Sequence, residues 1–406
     1  MPVFQTTGAS AGGASLNSWE FLVISAMAIL VCVAIKPQVV RNFILLLLSF
    51  YFFVSFTSDI ASIAVLILFL IASFGIGLWR KRLGLRFSML AQFTIITILW
   101  AFLFLARDPG LLAPANPFYY LPIRIIGISY MVFRCISYLM EVEFIAKPSF
   151  LRFCIYVLFF PGLLAGPIER YRTFEAQLAA PVFDPETVVP ALHRIANGMI
   201  KKFVIADNLS VFGIFSFGDA ADMSTPMLWI GALSQLGLIY LDFSGYCDIV
   251  IGVASLMGFR LIENFNKPFS STSIQEFWNR WHISLSTLVR DYIFTPTNMV
   301  IIKQAPRNIQ FSLITLVYFF SMILIGLWHG MTWGFVAFGT IHGGALVASQ
   351  LGRKYVGVRA TQPQNLLSVY GRRFLVYAFV SFTLILWLKS YSEWGRIYGK
   401  MIGLLP

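Results

Sequence analysis

Charge is scarce in this sequence. Asp, Glu, Lys and Arg make up 12% of its 406 residues, while 58% are hydrophobic. That balance excludes a water-soluble globular fold and gives length for roughly ten membrane spans. Cysteine is rarer still: Cys32, Cys135, Cys154 and Cys247 lie dispersed in apolar stretches with no C-x-x-C pair. This excludes a disulfide framework or zinc knuckle and leaves four small buried hydrophobes, none near a candidate base in sequence. Only four histidines occur, His193, His282, His329 and His342, the last three separated by 47 and 13 residues. They are too few and too dispersed for the ligand set of a membrane di-metal oxidase, and no resident cofactor or metal is expected. No Lys or Arg precedes Lys36, so the basic start of a cleaved signal peptide is missing. Residues 1–18 are expected to be a retained, flexible tail outside the cytoplasm.

What is present is a succession of apolar runs with basic punctuation. Runs near 19–35, 43–56, 60–79 and 87–106 each approach the ~20 residues that cross hydrocarbon. The net charge of +12 is gathered mainly in short clusters between such runs, as topology signals and lipid contacts rather than a nucleic-acid surface. Arg80 to Arg86 and Lys36 to Arg41 predict cytoplasmic loops, with the N-terminus outside. After Ala106 the pattern becomes irregular: Arg124 and Arg134 sit in apolar sequence, and Pro161-Gly162 interrupts the next run. Broken helices are tolerated at membrane depth only where buried in protein or lining a cavity. The basic stretch Arg170 to Lys202 is expected in the cytoplasm, so either 118–140 or 150–165 does not cross fully. Apolar runs at 203–217 and 228–257 follow, the second carrying Asp242 and Asp248, for which Arg124 and Arg134 are candidate partners. Later spans fall near 309–327, up to Gln350, and near 374–388, with Lys303, Arg307 and the segment Arg353 to Arg373 cytoplasmic. The expected architecture is an all-α polytopic integral membrane protein of about 10–12 membrane helices, some re-entrant or broken. It divides into the tail 1–18, N-terminal helices 19–120, a core at 121–350, and a basic loop, last helix and tail at 351–406.

Two stretches concentrate the chemistry. Gly326-Leu-Trp-His-Gly330, continuing through Trp333 to Gly339-Thr-Ile-His-Gly-Gly344, sets two histidines in an apolar run, where an ionisable group costs roughly 2.5 to 3.5 kcal/mol. Such a residue either hydrogen-bonds a neighbouring helix or does chemistry. For His342, followed by two glycines, packing is expected; around His329, Trp328 and Trp333 supply walls and Gly330 and Gly334 let backbone approach. The second stretch is Ser273 to Ser286, containing Trp278-Asn-Arg-Trp-His282. Ser273 with Glu276 matches a capping box and Glu276 with Arg280 an i,i+4 pair, so a helix is predicted to start at Ser273, its stripe running from Ile274 to Leu288. His282 falls on the flank of that stripe.

These motifs, with Gly162-Leu-Leu-Ala-Gly-Pro-Ile-Glu-Arg-Tyr171, Asp242-Phe-Ser-Gly-Tyr246 and Asn264-Phe-Asn-Lys-Pro-Phe269, resemble the membrane-bound O-acyltransferase (MBOAT) superfamily. Within it the chain is similar to the bacterial branch holding the alginate O-acetylation membrane subunit and the teichoic-acid D-alanyl transfer protein. The resemblance covers most of the chain, closely from Phe160 to Gly344. It implies a helical membrane fold with a funnel on each side meeting at a narrow passage. It implies transfer of an acyl group, acetyl ahead of D-alanyl, from a cytoplasmic thioester to hydroxyls of an envelope or exported polysaccharide. His329 matches the catalytic histidine and His282 the second polar position; Asn279, Arg280, Trp281, Trp328, Trp333 and Asp242 are the expected lining. The donor co-substrate would be an acyl-coenzyme A or a phosphopantetheine carrier protein, and an extracytoplasmic acyltransferase partner is implied. The expected location is the bacterial inner membrane. Direct transfer and transfer through an intermediate both fit the motifs. The alternative class is a transporter or flippase for a polysaccharide precursor, but its internal repeats are not seen: neither Trp-His-Gly nor Asp-Phe-Ser-Gly has a second copy.

Overall fold

The structure, a computed structural model, describes residues 19–57, 59–84, 89–107, 125–216, 223–356, 365–388 and 391–405. The expected tail 1–18 and Arg124 lie outside them. The helices in chain order are α1 (Trp19–Ala34), α2 (Gln38–Val54), α3 (Ile60–Leu83), α4 (Met89–Arg107), α5 (Ile128–Glu141), α6 (Phe150–Leu158), α7 (Tyr171–Ala179) and α8 (Val188–Met199). The single turn α9 (Asp207–Leu209) precedes α10 (Thr225–Leu256), α11 (Ile274–Arg280), α12 (Ile283–Val289), α13 (Thr295–Gln304), α14 (Arg307–His329), α15 (Trp333–Leu351), α16 (Leu366–Thr383) and α17 (Tyr391–Met401). No strand occurs among the described residues, only an isolated bridge between Phe265 and Trp281. Among the described residues, five helical stretches are long and apolar enough to cross a membrane: Ile60–Leu83, Thr225–Leu256, Arg307–His329, Trp333–Tyr355 and Leu366–Trp387. Four shorter apolar helices have 10–17 residues.

The packing forms two compact units. One takes in the described residues up to Gly198 together with Tyr246–Ile262; the other takes in Met199–Gly245 and Glu263–Pro406. Residues expected to form a single core at 121–350 therefore contribute to both.

In the first unit, α3 begins where Asp59 accepts from the backbone N–H groups of Ala61 and Ser62, at 3.2 and 2.8 Å, a standard N-cap. Its last turn carries Arg80 and Lys81, which donate to the carbonyls of Leu139 and Ile145. The expected break at Pro161-Gly162 is real: α6 stops at Leu158 and Phe160–Gly162 is a 3₁₀ turn. Proline lacks an N–H and disfavours helix before it, so carbonyls are orphaned there. Arg134 supplies the donors, reaching Val157 O at 2.9 Å and Gly162 O at 2.8 Å. Tyr246 Oη accepts from Ala165 N at 3.3 Å and donates to Pro161 O at 3.1 Å. With 14 and 9 residues, both α5 and α6 are shorter than the ~20 a span needs.

Three expectations are corrected. Arg134 does not pair with the α10 carboxylates: Asp248 is bound by Arg194 at 3.0 Å in the first unit, and Asp242 by Lys202 in the second. The apolar run 203–217 is not a span. It folds as a π-turn (Ile200–Ala206), α9 and two 3₁₀ turns, because Asn208 and Ser210 bond to nearby backbone carbonyls and so compete with the helix ladder. The last span starts earlier than expected, at Leu366, so Arg372 and Arg373 lie within α16.

Candidate active site

All of the following geometry lies in the second unit. The predicted cap is present: Ser273 Oγ accepts from Glu276 N at 3.2 Å, and Glu276 Oε2 accepts from Thr272 N at 2.8 Å. Glu276 also pairs with Arg280 at 2.8 Å. The helix does not continue to Leu288, however. It ends at Arg280, and a second helix begins at Ile283. Between them His282 has φ 45° and ψ 53°, a left-handed conformation costing about 1–2 kcal/mol in a residue with a Cβ.

The Asn264–Phe269 motif explains how this break is held. Asn264 O accepts from Ile283 N at 3.0 Å and its Oδ1 from Ser284 N at 3.1 Å, satisfying N–H groups that a new helix start leaves without intrahelical partners. Asn266 N donates to Arg280 O at 3.0 Å. Phe265 packs edge-on against Trp281 at 5.1 Å and Phe243 at 5.1 Å.

The break turns the His282 imidazole inward. It is 4% exposed, lies edge-on to Phe243 at 4.9 Å and to Trp328 at 5.7 Å, and neither ring nitrogen has a hydrogen-bond partner among the described residues. A buried polar atom left unpaired costs about 1–3 kcal/mol, and in His282 both ring nitrogens carry that cost. Burial pushes its pKa down to about 3, and the ring is neutral.

His329, the next residue along α14, has its ring 4.6 Å from that of Trp328 between centres. It is the last residue of α14, and Gly330 to Thr332 connect directly to α15. Trp387 at 4.6 Å and Phe335 at 6.0 Å complete the aromatic walls around it. The α14–α15 hairpin closes tightly because glycines face each other: a Cβ on Gly326 would meet Phe335 O at 2.3 Å, and one on Gly339 would meet Met322 O at 2.6 Å.

His282, Trp328 and His329 are thus brought together, while the Trp281 ring packs instead on Tyr240, Phe265 and Phe277. Asp242 directly precedes Phe243 in α10 and is paired with Lys202. Three further expected lining residues do not join them. The Arg280 guanidinium is turned to Glu276, Asn266 O and Ser270 Oγ. Asn279 is exposed, one position and so about 100° round the helix from the buried Trp278, and Trp333 is 74% exposed while Phe335 and Phe338 carry the inward face of α15. No three His, Cys, Asp or Glu side chains cluster as a metal site would need among the described residues.

A sequence profile of the membrane-bound O-acyltransferase family matches residues 48–388. The chain belongs to this family. Over 380 residues it is 32% identical to the probable alginate O-acetylase AlgI of Pseudomonas fluorescens, covering 91% of this chain and 71% of that protein. Over 223 residues it is 40% identical to the Azotobacter vinelandii protein of the same name, covering 54% and 43%. It is 34% identical over 249 residues to the teichoic acid D-alanyltransferase of Streptococcus thermophilus, covering 55% and 56%. The chain therefore spans less than half the length of the A. vinelandii relative.

In this MBOAT chain, sequence reasoning missed Phe243, Trp387, Lys202 and Thr383, whose Oγ1 lies 2.9 Å from His342 Nε2. Trp387 lies 58 residues beyond His329, and no periodicity connects two rings across separate helices.

Proposed function

We propose that this protein is a membrane O-acyltransferase that moves an acyl group, acetyl ahead of D-alanyl, from a cytoplasmic thioester to a hydroxyl of an envelope or exported polysaccharide. The observation that carries this reading is that two histidine rings, His282 and His329, both pack on the Trp328 ring, with His282 buried and both its ring nitrogens unpartnered among the described residues. A relative named as an O-acetylase aligns over 91% of the chain and one named as a D-alanyltransferase over 55%, which favours acetyl.

His329 is the general base. The acceptor hydroxyl oxygen attacks the thioester carbonyl carbon, and its proton passes to the imidazole as the C–O bond forms, a contribution of roughly 10²- to 10⁴-fold. The carbonyl oxygen becomes an oxyanion. Neutral His282 offers one ring N–H, and such a donor directed at the developing charge contributes about 10²- to 10³-fold. The tetrahedral intermediate collapses with cleavage of the C–S bond, and the departing thiolate takes the proton from the His329 imidazolium. Base and ring are then as they began. The C-terminal end of α14, where His329 sits, stabilises the transient positive charge through the helix dipole.

The donor is a coenzyme A thioester or an acylated phosphopantetheine carrier protein; the attacking hydroxyl belongs to the polysaccharide in direct transfer, or to an extracytoplasmic acyltransferase partner that then hands the group on in transfer through an intermediate. The chain sits in the bacterial inner membrane with its N-terminus outside. The test is mass analysis of glycans released from cells carrying the wild type, His329→Ala, or no protein. A mass increment present only with wild type supports the reading and identifies the acyl group by size. Identical glycan profiles, with polysaccharide export lost only in the strain lacking the protein, would replace it with the transporter reading.

A further inference from the structure

Resting on that functional reading, we infer that His342 is a positioning residue, a neutral hydrogen-bond tie that fixes the His282-bearing break against the hairpin that carries His329. His342 is fully buried in α15. Its Nδ1 is 3.2 Å from Trp278 Nε1 in α11, and its Nε2 is 2.9 Å from Thr383 Oγ1 in α16. The roles follow from the donor inventory. An indole N–H donates and never accepts, so Nδ1 is the acceptor and the single ring proton is on Nε2. Nε2–H then donates to Thr383 Oγ1, whose own hydrogen goes to Val380 O at 2.8 Å. Trp278 Nε1–H, both ring nitrogens and the threonine hydroxyl hydrogen are all committed. Adding a proton at Nδ1 would set two donors face to face, so this histidine holds geometry and does not carry protons.

What it holds is the least self-sufficient part of the site. At seven residues, α11 is far below the ~12–15 at which a helix persists without tertiary support. Four residues after Trp278 the chain enters the left-handed conformation of His282. The orientation of that imidazole therefore depends on where Trp278 is anchored. The anchor belongs to α15, which starts four residues after His329 and packs on α14 through Gly326 and Gly339. His342 thus refers both site histidines to one frame.

The test compares His342→Gln, His342→Phe, Trp278→Phe and the double variant Trp278→Phe/His342→Phe, with acyl transfer and thermal unfolding measured in the same detergent. Glutamine supplies an acceptor oxygen and a donor nitrogen in place of Nδ1 and Nε2; phenylalanine keeps the ring and supplies neither. Displacement of a reacting group by about 1 Å costs on the order of 10²-fold. The expected result is kcat lowered about ten- to a hundred-fold in His342→Phe and Trp278→Phe with KM little changed, no further loss in the double variant, and substantial recovery in His342→Gln. Equal loss in His342→Gln and His342→Phe overturns the tie, as does a kcat per folded molecule unchanged in all of them while only the unfolding temperature falls. Absence of transfer by the wild type would instead overturn the functional reading and this one with it.

Discussion

Gly339→Ala tests whether the α14–α15 hairpin sets the site. The added methyl would lie 2.6 Å from Met322 O and 2.7 Å from Ile323 Cα, both backbone atoms of α14, where ordinary carbon contacts begin near about 3.5 Å. Backbone cannot rotate aside, so the hairpin must open by about 1 Å. Overpacking of this kind costs typically 1–3 kcal/mol, offset by the ~1 kcal/mol that alanine gains over glycine inside a helix. Because α14 ends at His329 and α15 carries His342, a 1 Å opening is expected to lower turnover by about 10²-fold while the protein still inserts and folds. Gly344→Ala is the matched control: it lies in the same helix, five residues on, and its Cβ would meet nothing within 4 Å, so it should keep turnover and match or exceed wild-type stability. Acyl transfer per purified molecule and unfolding temperature in detergent would be measured for both. Wild-type turnover in Gly339→Ala would refute the argument that glycine contact positions His329.

Lys202→Ala leaves the Asp242 carboxylate buried without its cation, and losing one partner of such a pair costs about 3–5 kcal/mol; with both side chains slightly exposed, the lower end is expected. Removing Asp242 as well should restore much of the unfolding temperature, and an equally unstable double variant would show that the ion pair is not the cause. In the other unit, burial raises the Glu169 carboxyl from an ordinary 4.5 to about 7, against the opposing hydrogen bond from Ile262 N. The folded state therefore holds this proton at pH values where the unfolded chain has lost it, so the contribution to stability is full below about pH 4.5 and declines as pH rises to about 7. Glu169→Gln should flatten the unfolding temperature across that window; an unchanged slope would assign the pH dependence to other groups.

Much of the fold was legible because hydrophobic run length and basic punctuation report directly on membrane crossing. The breaks were half legible. Pro161-Gly162 announces itself, since proline cannot continue a helix, but the interruption at Trp281-His282 contains neither proline nor glycine and sits inside an unbroken apolar stripe. It exists because Asn264, 18 residues earlier, captures the N–H groups of Ile283 and Ser284. A nonlocal clamp of that kind leaves no periodic signal. The carboxylate partners were misassigned for the same reason: Asp242 and Asp248 need cations, but nothing in spacing says that Lys202 and Arg194 supply them rather than Arg134.

The polar groups of the apolar interior sort themselves by what they bind. Arg134 serves the carbonyls exposed at one helix break, Asn264 serves the amides exposed at the other, and Asp248 and Asp242 are matched by cations. Both nitrogens of His342 are committed within the protein. Each of these discharges a need created by the fold, so each belongs to the architecture even where it stands in a sequence motif. His282 differs: it is held in a left-handed conformation, almost fully buried, with its ring nitrogens bound by no described residue. Strain and an unmet polar group in one residue are a double cost that packing does not recover, and a substrate oxygen placed against that ring would offset it.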